Sequence, residues 1–194
     1  MTDQTVTDRR DDAPAVASKH GDPASEVSIP QAQGSTLSGW SVTINKPAAE
    51  LFAFYRDFAN LPRFMENIER IDVLDGRRSH WVVKGPAKTL YEWDARITEE
   101  QADRLIAWTS EEGADVANSG KIEFKDAGAR GTVVTATLLY DPPGGVVGKV
   151  IAKMFQREPN IQVRRDLRRF KQLMEAGEVA TPARNRREFE EMGL

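Results

Sequence analysis

Three tryptophans, Trp81, Trp93 and Trp108, stand among neighbours that alternate between apolar and polar. A β reading of those stretches puts all three on one face of consecutive strands. Flat aromatic surfaces suit a ring system or an isoprenoid tail held in a large apolar cavity. The same side chains could serve as plain core against a covering helix, because cavity wall and core share a face here. His80 is adjacent to Trp81 and so points the other way, as a surface histidine and not a general base. Asp94 and Arg96 flank Trp93's strand on that outer face, with Glu92 in the same row. They could act as an acid and a charge stabiliser, but solvated cross-strand partners fit the position better. Ser79, Ser110 and Ser119 lack the Gly-x-Ser-x-Gly context of an activated nucleophile. No Gly-x-Gly-x-x-Gly or Gly-x4-Gly-Lys-Ser/Thr run occurs, so nothing supports a phosphate-cradling loop. Gly144, Gly145 and Gly148 follow two prolines and open a helical pattern, which could receive an anion. A turn leaving the sheet accounts for them more simply.

Composition narrows the classes further. The chain has 194 residues, no cysteine, two histidines (His20 and His80) and a net charge of −3. Disulfides, thiolate chemistry and Cys- or His-rich metal sites are excluded, and no cofactor is expected. No apolar run reaches the roughly 20 residues of a membrane span, and Met1–Asp12 lacks a signal peptide's apolar region. A soluble, cytoplasmic protein is expected. Residues 1–36 have no aromatic side chain and are rich in Asp, Ala, Ser and Pro, which predicts a disordered acidic tail. Residues 177–194 read as a flexible charged tail. Every aromatic except Phe189 lies between Trp40 and Phe170, so residues 37–176 form the domain. That domain is near neutral, and no nucleic-acid partner is expected.

The elements that must position these residues follow from periodicity. Trp40–Ile44 alternates as a first strand. Pro47 and Glu50 then open a helix carrying Leu51, Phe52, Phe54, Tyr55 and Phe58. Asn60 is expected to cap a second short helix bearing Phe64, Met65 and Ile68. From Ile71 to Tyr140 the period falls to two, as in an antiparallel sheet with one covered face. Its inward row runs through Ile71, Val73, Trp81, Val83, Tyr91, Trp93, Ala95, Ile97, Ile106, Trp108, Ile122, Phe124, Val134, Ala136, Leu138 and Tyr140. After Asp141-Pro-Pro-Gly-Gly145 a helical pattern resumes, broken at Pro159. Beyond it, Val163, Leu167, Phe170 and Met174 fall within an arc of about 60°. Eight bases between Lys149 and Lys171 face only Glu158 and Asp166, a local net of +6. They form either a solvated outer face or a surface for transient contact with anionic membrane.

Taken in order, Ser41-Val-Thr-Ile44 with Lys46-Pro47, Phe54-Tyr-Arg-Asp57, and Asn60-Leu-Pro-Arg-Phe-Met65 resemble the START-like, helix-grip or SRPBCC superfamily. The match continues through Trp81-Val-Val-Lys-Gly-Pro86, Trp93-Asp-Ala-Arg-Ile97, Ile106-Ala-Trp-Thr-Ser110, Asp141-Pro-Pro-Gly-Gly145 and Asp166-Leu-Arg-Arg-Phe-Lys171. The nearest branch is the polyketide cyclase/dehydrase and coenzyme Q-binding group. The resemblance implies an α+β helix-grip fold, a curved antiparallel sheet around a long C-terminal helix with two short helices after the first strand. It also implies an internal cavity for a hydrophobic small molecule: a lipid, a polyprenyl quinone or a polyketide-like aromatic. The expected lining is Phe58, Phe64, Met65, Trp81, Val83, Tyr91, Trp93, Trp108, Phe124, Leu138, Tyr140, Val150, Met154 and Phe155. Carrier and cyclase/dehydratase use the same cavity. The enzyme would need an inward acid or base, for which Tyr55, Tyr91, Tyr140, Glu66 and Arg63 are the candidates. Residues 146–157, with Phe64 and Met65, are expected to border the cavity mouth, while residues 160–176 clamp the sheet.

Overall fold

The computed structural model describes residues 36–85, 89–140 and 159–180. Strand β1 (Thr36–Ile44) leads into helix α1 (Ala48–Arg56) and a 3₁₀ helix (Phe58–Arg63). Six strands follow: β2 (Ile68–Val73), β3 (Arg78–Lys84), β4 (Leu90–Gln101), β5 (Leu105–Ser110), β6 (Asn118–Asp126) and β7 (Thr132–Tyr140). Helix α2 (Pro159–Ala176) comes last. All seven strands form one antiparallel sheet in the order β1-β7-β6-β5-β4-β3-β2. Only β1 leaves the meander, returning to pair along its whole length with β7.

The sheet curls around an aromatic core supplied by the two helices. Phe170 of α2 stacks on Phe64 at 4.9 Å and meets Tyr55 edge-on at 5.8 Å. Phe52 and Tyr55 of α1 meet Phe124 of β6 edge-on. Such ring pairs add to the large apolar area that each aromatic buries. The corner between β1 and α1 is pinned from β7's side. The Thr132 hydroxyl donates to the Lys46 carbonyl at 2.8 Å. Gly131 passes so close that a Cβ there would sit 2.2 Å from the Ile44 carbonyl oxygen, and its φ is +89°. Only glycine meets both conditions.

Four local expectations need correction. The segment after α1 is a 3₁₀ turn ending at Arg63, capped by Asp57, whose carboxylate accepts from the Ala59 amide at 3.3 Å. Pro62 disfavours the α conformation at Leu61, and Ile68 already belongs to β2. Asn60 caps the other helix: its side-chain amide donates to the Phe54 carbonyl at 3.1 Å, satisfying an orphan of α1's last turn. Val73 belongs to the inward row by parity, yet it is 57% exposed at the end of the edge strand β2, beyond the covered core. Thr109 sits in the outward row but is fully buried. Pro159 is the first described residue of α2, and the break expected at it involves residues outside the described ones. Residues 146–157 lie outside the described residues, as do both tails except 177–180 and Thr36.

Candidate functional site

The inner face of the sheet, the turn before β2 and α2 border a partly open cavity of about 170 Å³. Its aromatic wall is built from cross-strand pairing. Trp81 of β3 lies directly opposite Trp93 of β4, and their indoles stack nearly parallel, 6.3 Å between centroids and 8° between planes. Trp81 is fixed further by an N–H donated to the Ser79 hydroxyl at 2.8 Å and by contact with Phe58. Trp108 of β5 pairs with Gly120 of β6. A Cβ at Gly120 would lie 2.4 Å from the Trp108 ring, so the glycine is what lets the indole lie flat against the sheet.

Six of the expected lining residues meet here: Met65, Trp81, Val83, Trp93, Trp108 and Leu138. Four others pack outside the lining. Phe64 is wholly buried against Phe170, and Phe58 lies behind Trp81. Phe124 is wedged between Phe52 and Tyr55. Tyr91 packs with Val116 and Trp93 beside Gly85. Periodicity turns all four inward, but it does not tell a residue filling the core from one bordering a void. Phe64 is accordingly a core anchor and not part of a mouth. Val150, Met154 and Phe155 lie outside the described residues, and Tyr140 is described only as backbone.

The outer face behaves as expected. His80 contacts Asp94 through Nδ1 at 2.8 Å and Glu92 through Nε2 at 3.5 Å, away from the cavity. Arg78 holds Glu111 and reaches Asp94 at 3.7 Å. Among the described residues no group of acids and histidines is arranged to hold a metal ion.

The polar wall of the cavity is the part that sequence reasoning missed. Asn67, Asn118, Thr137, Gln162 and Asp166 all border it, together with Tyr55. Gln162 donates to the Asp166 carboxyl at 2.8 Å, one helical turn away on α2. Burial pushes the Asp166 carboxyl up to about 7, against the Gln162 hydrogen bond and the Arg165 charge, which both favour the ionised form. Burial and, secondarily, the Asp166 charge push the Tyr55 phenol well above its ordinary range, so it stays neutral. The sequence does carry a signal for Asp166. It lies three residues after Val163 and four before Phe170, at the edge of the apolar arc, where a helical side chain still faces the core.

Residues 44–168 match the model of the polyketide cyclase / dehydrase and lipid transport family. The chain belongs to that family. An uncharacterised 17.2 kDa protein of Streptomyces lincolnensis is 31% identical over 138 residues, covering 70% of this chain and 87% of its own length. Among solved structures, a Deinococcus radiodurans protein shares 40% identity at a TM-score of 0.60, covering 73% of this chain and 99% of its own. The Zhui aromatase/cyclase of a Streptomyces species is 16% identical at a TM-score of 0.58, covering 74% and 99%, a likeness of fold alone. The polyketide cyclase/dehydrase family thus carries the helix-grip architecture seen here.

Proposed function

We propose that this chain binds a hydrophobic small molecule in the tryptophan-walled cavity and acts as its carrier. The observation that carries the proposal is the parallel Trp81–Trp93 stack continued by Trp108, which offers flat apolar surface to a ring. A dry apolar cavity of about 150 Å³ is enough to take up benzene. At about 170 Å³ this one suits a single ring or a short isoprenoid piece, and the rest of a longer molecule would extend from it. Quinone head groups, polyketide-like aromatics and lipid chain ends all meet that description. Native mass spectrometry after gentle purification tests the proposal. A retained adduct, or uptake of one equivalent of a short-chain quinone or a fatty acid, supports it. A clean unliganded mass with no uptake contradicts it.

A cyclase or dehydratase activity in the same cavity is the second reading, and Asp166 is the observation that favours it. An acid whose proton is exchangeable near neutrality, beside a neutral Tyr55, can serve general acid–base chemistry on a chain held in a reactive shape. Turnover of a linear poly-ketone surrogate, lost in Asp166→Asn, would decide for it.

Anionic membrane contact through α2 has a narrower basis than the run of bases suggests. Arg164 lies 4.8 Å over the Trp40 ring, and Arg169 is engaged by Glu66, which also draws Arg165 to 3.6 Å. Within α2, Arg165 and Arg168 are the exposed arginines. Flotation with phosphatidylglycerol vesicles, weakened by Arg165→Ala/Arg168→Ala, is the expected result if that contact is used.

A further inference from the structure

The cavity has two unlike walls, and the difference bears on what it selects. Trp81, Trp93 and Trp108 offer flat apolar faces, with the Trp81 N–H already given to Ser79, while α2 contributes an acid, Asp166, between Val163 and Leu167. We propose that Asp166 is the specificity-determining residue of the cavity, donating a hydrogen bond in its protonated form to a neutral oxygen of the ligand, a ketone or quinone carbonyl. This rests on the cavity being the ligand site.

The geometry supplies a donor in a defined place. Gln162 donates to Oδ1 of Asp166, which occupies that oxygen and leaves Oδ2 to carry the proton. Among the described residues no cation lies within ion-pair distance of the carboxyl. The groups that face it electrically are Tyr55 from α1 and Arg165 from its own helix. Arg165 is drawn outward by Glu66, and Tyr55 stays un-ionised. The remaining polar lining, Asn67, Asn118, Thr137 and Gln162, is uncharged, and the Asn118 amide is already given to the Val116 carbonyl at 2.9 Å. Burial raises the Asp166 carboxyl toward neutrality. A carboxylate or phosphate ligand would have to leave water for a cavity with no cation beside the acid, and would repel Asp166 whenever that is ionised. A pure hydrocarbon would leave the buried proton without an acceptor. A carbonyl oxygen satisfies it.

Acetophenone and α-methylstyrene test this, because they share shape and differ in C=O against C=CH₂. Binding of each is measured by ligand-observed NMR titration of the full chain at pH 5.5 and 8.5. The expected result is about a tenfold preference for acetophenone at pH 5.5 that disappears at pH 8.5, one hydrogen bond's worth. Asp166→Leu should abolish the preference while still binding α-methylstyrene. Asp166→Asn, which keeps a donor, should retain a preference without pH dependence. Equal binding of the two probes at pH 5.5, or an unchanged preference in Asp166→Leu, overturns the proposal and leaves the cavity reading intact. Binding of neither probe overturns the cavity reading and the proposal with it. Tighter binding of benzyltrimethylammonium at pH 8.5 than of acetophenone at pH 5.5 also overturns it, since Asp166 would then be a counter-ion.

Discussion

Replacing Asp166 by Asn should make the protein more stable, and only over a defined pH range. Folding raises the carboxyl from 3.8 to about 7. A raised acid binds its proton more tightly in the native than in the unfolded chain. Stability from this group is therefore fully present below about pH 4 and is lost as pH rises through about 7. Every tenfold gain in proton affinity is worth about 1.4 kcal/mol, so the loss amounts to about 4 kcal/mol at pH 8 if nothing relaxes. Water entering the cavity would lower it toward about 2 kcal/mol. Asn is close in size and can still accept from Gln162, so it should match the parent near pH 4. At pH 8 it should exceed the parent by about 2–4 kcal/mol. Urea unfolding of both proteins at half-unit steps between pH 4 and pH 8.5 reads the difference directly. Every other titrating group cancels in the comparison. Parallel stability curves, or a variant weaker at pH 8 than the parent, would refute the argument that burial dominates this site.

Other expectations follow from the same geometry. Trp93→Ala should cost about 2–4 kcal/mol in urea unfolding and weaken ligand uptake, because Trp93 lines the cavity and stacks on Trp81. Glu92→Ala, next to it on the outer face, should change stability by less than about 0.5 kcal/mol, and His80→Ala should leave ligand binding unaltered. Gly120→Ala should force Trp108 off the sheet into the cavity, which a displaced indole signal and lost uptake would report. Glu66→Ala removes the partner of Arg169, whose Nε is buried without an acceptor, and loosens the turn carrying Met65 and Asn67. Stopped-flow release of a bound quinone should then be several-fold faster.

The architecture is legible in the sequence because its signals are periodic. Alternation from Ile71 to Tyr140 assigns the strands, and Pro47 and the Val163–Met174 arc place the helices. Cross-strand stacking of Trp81 on Trp93 follows from parity once the β3–β4 hairpin is recognised. Packing depth is not legible in the same way. Phe58, Phe64 and Phe124 all face inward but fill the core, since only the curl of the sheet decides where a void remains. Asn60 can cap either of two helix ends by its sequence position, and its contact with the Phe54 carbonyl settles the choice in space. By charge alone, Asp166 counts among the acids offsetting a basic surface. Its place at the margin of an apolar arc, next to Leu167, gives it a buried environment that charge counting does not register.

The central claim, that the tryptophan-walled cavity is the ligand site, has an internal control. The chain has four tryptophans, and three of them line the cavity. Trp40 lies under Arg164, outside the lining. Titration of ¹⁵N-labelled protein with a one-isoprene benzoquinone, followed at the four indole N–H signals, tests the claim most directly. The Trp81, Trp93 and Trp108 signals should move together and saturably while Trp40 stays in place. Movement of Trp40 alone, or four unmoved signals in the presence of measurable binding, would place the ligand elsewhere and contradict it.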